Sequence, residues 1–321
     1  MMKRKEVKKV QKKKNFKRRF FISFIILFAV LLSIGGYIYF QAYQATSDSY
    51  SELNRDKSLL REKSVDIGND PISILLLGIE NYSSGGSNGR SDTIIVLTFN
   101  QDEETLKMLS IPRDTFVPII GENIQDKINH SYAYGGAEMT INTVEEFLNI
   151  PIDYFATIDF AGFLNVIDIV GGITVDVPFN FSEDSHDGTG KLYYTEGAMD
   201  LNGKQALGYA RMRKQDPEGD IGRGDRQKQV VEAVIDKLTS PSTVFKIDNL
   251  ANEYGENVTS NLKLSELMSF YKEYRNFNTN NIEQLKLDGT NESIDGISYY
   301  VVDEKSLETI STELRSHLEL N

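Results

Sequence analysis

The sequence predicts an α/β fold: a three-layer domain with a mixed, partly antiparallel central sheet flanked by helices, preceded by a single transmembrane helix. Three observations carry that expectation. Apolar runs of strand length, rich in β-branched residues, open the region after Pro71. Segments with helical spacing of apolar residues then mix with further strands, without strict βαβ alternation. An uncharged run of 21 residues, Phe20–Phe40, precedes all of them.

As a helix that run spans about 32 Å, close to the hydrocarbon thickness of a bilayer. A cleaved signal peptide would have a shorter apolar region, roughly 7–15 residues, before a small-residue cleavage site. The length favours an uncleaved anchor, although Ala42 and Ala45 follow it. Residues 1–19 carry eleven Lys or Arg and one acid, Glu6, whereas the flank after Phe40 is balanced. The positive-inside rule places this basic tail in the cytoplasm and everything after residue 40 outside. Residues 41–70 are polar without a strong apolar period and read as a stalk, so the folded domain is expected over residues 71–321.

Within that domain Ile72–Ile79 is a continuous apolar run, the pattern of a buried strand. Thr93–Phe99 and Thr105–Ile111 follow, separated by the polar turn Asn100–Glu104, and complete an antiparallel meander. Ile141, Val144, Phe147 and Leu148 give Ala137–Leu148 a helical face, stopped by Pro151. Tyr154–Ile158 is strand-like, Phe160–Ile167 helical up to Gly171-Gly172, and Ile173–Val177 a strand. Phe179–Thr195 reads as a polar, Gly-containing loop. Leu201–Tyr209, Arg223–Leu238, Leu264–Phe277 and Lys305–Leu318 read as helices, with Ser298–Val302 a strand.

Net charge is −12, but without residues 1–19 the chain has 24 basic against 46 acidic residues. Such a body is a poor general binder of nucleic acid, whose affinity comes largely from neutralising phosphates. An arginine cluster within it is a focused anion site rather than a broad basic surface. There is no cysteine, which excludes disulfides and thiolate metal sites, and only three histidines limit imidazole catalysis.

The arginine cluster lies in Tyr209–Gln229, where Arg211, Arg213, Arg223 and Arg226 alternate with Asp216, Asp220 and Asp225. Guanidinium groups bind phosphate oxygens bidentately and stay charged. A solvated charged loop is the competing reading. A second constellation is Glu80 at the end of the first strand and Asp92 at the start of the second, with Arg90 and Arg113 on the same edge. Two carboxylates with phosphate oxygens suit Mg²⁺, which keeps several waters; turn acids at strand ends are the plainer alternative. Gly85–Gly89 matches G-x-S-x-G, but a strand follows where a nucleophile elbow needs a helix. Arg223-Gly224-Asp225 spells an integrin-binding tripeptide, a coincidence at a helix start.

SILLLGIE, GRSDTIIVLT, SIPRDT, DKINHSYAYGG, the run Ile150–Pro178, LNGKQALGYARMR and DPEGDIGRGDRQKQV occur in this order. By these blocks the chain resembles the LytR-CpsA-Psr family of cell-wall glycopolymer ligases, closely over Pro71–Leu238. The resemblance implies an enzyme that takes a glycopolymer, wall teichoic acid or capsular polysaccharide, from undecaprenyl pyrophosphate. It joins the polymer through a phosphodiester to a muramic acid hydroxyl of peptidoglycan at the membrane surface. It also implies pyrophosphate-binding roles for Arg90, Arg113, Arg211, Arg213 and Arg223, with Gln227 beside them, and Mg²⁺ or Mn²⁺ on Glu80 and Asp92. Glu80 stands where the family usually has Asp. An apolar tunnel for the polyprenyl chain is implied as well. The chemistry of the residues agrees, because hydroxyl attack on a pyrophosphate needs charge neutralisation more than covalent help. Arg113 joins the catalytic set on that ground, and Asp216 and Asp220 are candidates to take the attacking proton. Two other functions fit part of the pattern: a lipid pyrophosphatase using water, and a non-enzymatic envelope regulator.

Helical geometry sharpens one expectation. With Arg223 at 0° on a wheel, Gln227 falls near 40°, among Val230, Val231, Val234, Ile235 and Leu238 at roughly 340–120°. Asp225, Lys228, Gln229, Glu232 and Asp236 fall opposite, and Arg226 at the border. An unpaired inward arginine is strongly unfavourable, so Arg223 and Gln227 are expected to share a pocket with Arg113, Arg211 and Arg213. Pairing of Arg223 with Asp220 is the alternative.

Overall fold

The structure, a computed structural model, describes residues 36–37, 39–44, 46–80, 89–240, 246–274 and 277–320. Most of Phe20–Phe40 and most of the Gly85–Gly89 motif lie outside these residues. Among the described residues, no helix is long and apolar enough to cross a membrane.

The domain opens with β1 (Ile72–Glu80), β2 (Arg90–Asn100) and β3 (Thr105–Ser110), paired antiparallel as the meander predicts. The hairpin β4 (Phe116–Ile119) and β5 (Ile124–Lys127) leads into α1 (His130–Leu148). Next come β6 (Tyr154–Asp159), α2 (Phe160–Val170) and β7 (Ile173–Val177). The hairpin β8 (Phe181–Asp184) and β9 (Lys191–Tyr194), β10 (Gly197–Leu201), α3 (Gly203–Arg211) and α4 (Asp220–Thr239) follow. The chain ends through α5 (Ile247–Asn257), β11 (Val258–Ser260), α6 (Leu264–Tyr274), β12 (Ile282–Leu285), β13 (Gly289–Ile294), β14 (Ile297–Val302) and α7 (Glu304–His317).

The central sheet has the order β11-β6-β1-β2-β3-β12. β6 runs parallel to β1, and β12 parallel to β3, so the sheet is mixed. β1 is interior and buried on both faces, which is why its sequence is apolar without alternation. Leu75, Leu77, Ile94, Val96 and Leu109 pack one face under Ile141, Val144 and Leu148 of α1 and Ile310 and Leu314 of α7. Ile74, Ile95, Leu97, Phe99 and Met108 pack the other face under Val231 and Ile235 of α4 and Leu267 and Phe270 of α6. This is the expected helix–sheet–helix layering. A third apolar body joins α2, α3 and α4 to β7 through Ile167, Tyr209, Val230 and Val175.

Phe179–Thr195 is not a loop. β8 and β9 pair there with Phe181 opposite Tyr194, their rings stacked at 4.4 Å. The polar turn between the short arms hides them in the sequence. α1 begins at His130, seven residues before the apolar period, because its axis breaks at Gly135-Gly136. Gly136 has φ 64° and ψ −153°, a conformation essentially reserved for glycine. The stretch before Pro71 packs on the domain: Ser51 N donates to Ser260 O at 2.7 Å, Arg55 pairs with Glu145 and Arg61 with Asp153.

α7 is pinned to the sheet by His317, which is buried. Its Nδ1 lies 2.7 Å from Thr98 Oγ1 and its Nε2 2.9 Å from Thr105 Oγ1, while Asn100 donates to its carbonyl. Burial holds the His317 pKa below the ordinary histidine range, against the nearby Glu103. The unfolded chain takes up this proton near pH 6.5, and the folded one does so only at lower pH. The stability tied to neutral His317 is therefore present above about pH 6.5 and lost as pH falls. The melting temperature should drop between pH 7 and pH 5, less steeply in His317→Gln. Equal slopes would mean that His317 does not carry the effect.

Candidate active site

The site begins at an irregularity in the β1–β2 ladder. Gly78 pairs with Thr93 but Ile79 with Ser91, so Asp92 is an extra residue, a β-bulge. Bulges re-aim a side chain at a sheet edge. Asp92 Oδ2 here accepts from Arg113 Nη1 at 2.8 Å, and Oδ1 lies 3.4 Å from Asn129 Nδ2. Glu80, one turn of the pleat further on, stands opposite Arg90. Arg113 follows β3 after Pro112, which ends the strand at this same edge.

A cavity of about 510 Å³ opens beside the bulge. Glu80, Arg90, Asp92 and Arg113 form one wall. Arg211, Arg213, Arg223 and Gln227 form another, so all eight of these sequence-predicted residues meet there. Ile158, Phe160, Phe163, Leu207 and Ala210 supply an apolar wall. Arg211 closes α3, a helix started by the Asn202–Gln205 capping box, and its guanidinium lies 4.9 Å from the Phe160 ring centroid. Phe160 opens α2, capped by Asp159, which accepts from Gly162 N.

Arg223 sits in the first turn of α4 and is 7% exposed. Its Nη2 contacts Asp220 at 2.9 Å, so the pairing alternative holds together with the pocket. Arg213 reaches the same carboxylate at 3.9 Å. Burial lowers the Arg223 pKa, with Asp220 and Asp92 opposing and Arg113 and Arg213 adding to the fall. Burial acts on Arg113 in the same sense but is outweighed by Asp92, leaving it above the ordinary range. The buried Nε atoms of both arginines have no hydrogen-bond partner among the described residues. Arg113 Nε is 3.8 Å from Asp114, too far for a hydrogen bond. Clustered cations with unused donors on a cavity are suited to a multiply charged anion.

The remaining members of the cluster have other places. Asp216 is not on the cavity: it is buried in an ion pair with Arg226, whose Nε also donates to Tyr209 O at 3.1 Å. This pair ties the end of α3 to α4 and so fixes where Arg211 and Arg213 emerge. Arg226 is 2% exposed, not at the border of the helix face. Lys228, expected to point outward, is buried against Asp225 and Leu285 O. A wheel for α4 cannot register β12 packing on that side. Arg223-Gly224-Asp225 lies within the helix with its arginine buried. The cavity also includes Asp159, Glu183 and Lys214, which the sequence reading missed. Glu183 has a signal in retrospect, since it lies two residues from buried Phe181 on the same strand face. Among the described residues, no three His, Cys, Asp or Glu side chains form a metal-holding group.

A sheet whose bulged edge gathers arginines and carboxylates over an apolar wall defines an anion-binding α/β domain. The LytR_cpsA_psr family model matches residues 36–316, and the chain belongs to that family. It is 44% identical over 296 residues to the polyisoprenyl-teichoic acid–peptidoglycan teichoic acid transferase TagV of Bacillus subtilis, covering 90% of this chain and 76% of the relative. TagU of the same organism is 42% identical, with 90% and 92% covered. The crystal structure of B. subtilis TagV superposes with a TM-score of 0.71 at 44% identity, over 78% of this chain and 98% of that one. The structure of YwtF (TagT) with bound octaprenyl pyrophosphate lipid superposes with 0.68 at 32% identity, over 84% and 99%.

Proposed function

We propose that this protein is a transferase that moves a glycopolymer from an undecaprenyl pyrophosphate carrier to peptidoglycan, forming a phosphodiester. The convergence of five arginines and Gln227 on one cavity with an apolar wall carries this reading. The relatives named as polyisoprenyl-teichoic acid–peptidoglycan transferases support it, as does the similar structure holding octaprenyl pyrophosphate. Arg113 from the sheet edge and Arg223 from α4 bind the pyrophosphate, and the exposed Arg90, Arg211 and Arg213 add charge. Phe160, Phe163 and Leu207 take the first isoprene units. Attack by the acceptor hydroxyl moves charge onto the phosphate that leaves with the lipid, where prearranged guanidinium donors act most strongly.

The donor set also fits a hard divalent cation. Glu80 and Asp92 offer carboxylate oxygens on the cavity wall, and waters and phosphate oxygens would complete the shell of Mg²⁺ or Mn²⁺. Such an ion, when bound, neutralises charge on the phosphate oxygens. Arg113 holds Asp92 from the other side and thereby orients its carboxylate.

The test is transfer of a lipid pyrophosphate-linked glycopolymer to peptidoglycan fragments by the purified protein, titrated with Mg²⁺. Arg113→Ala removes charge-assisted hydrogen bonds of about 1.5–3 kcal/mol each, so transfer should fall at least about tenfold. Asp92→Asn should raise the Mg²⁺ concentration needed without unfolding the protein. No transfer by the wild-type protein sinks the reading, and an unchanged Mg²⁺ dependence in Asp92→Asn removes that residue from the cation site.

The family places such a domain on a membrane, and the charge asymmetry around Phe20–Phe40 favours one orientation. Residues 1–19 are cytoplasmic, residues 20–40 cross once, and residues 41–321 are extracellular. A reporter that works only outside the cytoplasm should be active when fused after Asn321; a cytoplasm-only reporter active there overturns the topology.

A further inference from the structure

The transfer reaction needs an acceptor for the proton of the attacking hydroxyl, and the two aspartates expected to supply it are engaged. Asp216 is buried with Arg226. Asp220 pairs with Arg223 at 2.9 Å and faces Arg213 at 3.9 Å, so protonating it would break the contacts that hold the anion-binding arginines. Among the described residues, four carboxylates line the cavity: Glu80, Asp92, Asp159 and Glu183. Asp159 caps α2, Asp92 is held by Arg113, and Glu80 is assigned with Asp92 to the cation.

Glu183 differs from them. It stands on β8, in register with Leu192, on the strand face that also carries buried Phe181. Its carboxylate accepts no hydrogen bond and makes no ion pair among the described residues, yet it opens onto the cavity. We propose that Glu183 is a further catalytic residue: its carboxylate is the general base that receives the proton of the acceptor hydroxyl. The inference rests on the transferase reading above. In the step, the hydroxyl oxygen bonds to the phosphorus that carries the glycopolymer, and the bridging P–O–P bond breaks. The electron pair leaves with the polyprenyl phosphate, and the proton passes to Glu183.

The surroundings suit that task. Burial raises the Glu183 pKa above the ordinary glutamate range, and Asp184 on its own strand raises it further. Arg211 at the end of α3, Lys214 beyond it and Arg226 on α4 act in the opposite sense, and Tyr194 faces it from β9. A base with raised proton affinity transfers protons more effectively near neutral pH.

The experiment compares wild-type protein, Glu183→Gln and Glu183→Asp across pH, in the transfer reaction from a lipid pyrophosphate-linked glycopolymer to peptidoglycan fragments. Glu183→Gln should lose about 10²-fold or more in kcat with KM for the lipid substrate little changed. The acid limb of its kcat/KM profile should disappear. Glu183→Asp should keep that limb at intermediate kcat, and it decides the matter if Glu183→Gln does not fold. A wild-type-like kcat and profile in Glu183→Gln, or a loss confined to KM, overturns the assignment. So does loss of the acid limb in a folded Glu183→Asp. Failure of the wild-type protein to transfer would instead strike the transferase reading.

Discussion

The structure depends on a tension between two arginines. Arg113 from the end of β3 and Arg223 from the first turn of α4 are brought into one partly buried cavity, where burial and the Arg113 charge both disfavour the charge on Arg223. Burying a guanidinium costs several kcal/mol unless it is paired and fully hydrogen-bonded. Asp92 and Asp220 supply one pairing each, but both Nε atoms stay without partners among the described residues. A protein selected only for stability would replace such residues. Their place on one cavity suits a ligand whose charge completes the set, which is how functional sites trade against stability.

The surrounding elements keep that arrangement from relaxing. The bulge at Asp92 turns one carboxylate toward Arg113, and the β1–β2 register holds Glu80 and Arg90 on the same edge. The Arg226–Asp216 pair and the Arg226 bond to Tyr209 O fasten the end of α3 to α4. Removing either partner of such a pair would leave a buried charge alone, so the contact works as a positional lock. The apolar face of α4, through Val231 and Ile235, anchors the same helix to the sheet. Arg223 and Gln227 therefore project from a rigid scaffold, as a preorganised anion site requires.

Much of this was legible in the sequence because period and punctuation are local signals. The bounds of β7 at Ile173–Val177 are those the alternation predicts, and the wheel placed Arg223 and Gln227 inward correctly. What escaped depends on contacts distant in sequence. β8 and β9 are four-residue arms whose stability comes from Phe181 stacking on Tyr194, not from their own pattern. Lys228 is buried because β12 covers it, and Asp216 is turned inward by Arg226 ten residues later. Glu183 stayed hidden because a hairpin read as a loop has no inward face.

The central claim is that Arg113 and Arg223 together select a diphosphate. Calorimetric titration with a soluble short-chain polyprenyl pyrophosphate and the matching monophosphate tests it directly. The wild-type protein should prefer the pyrophosphate by at least about tenfold, the value of one charge-assisted hydrogen bond. Arg223→Gln should remove most of that preference. Equal affinity for the two ligands in the wild-type protein, or a full preference surviving in Arg223→Gln, would contradict the account.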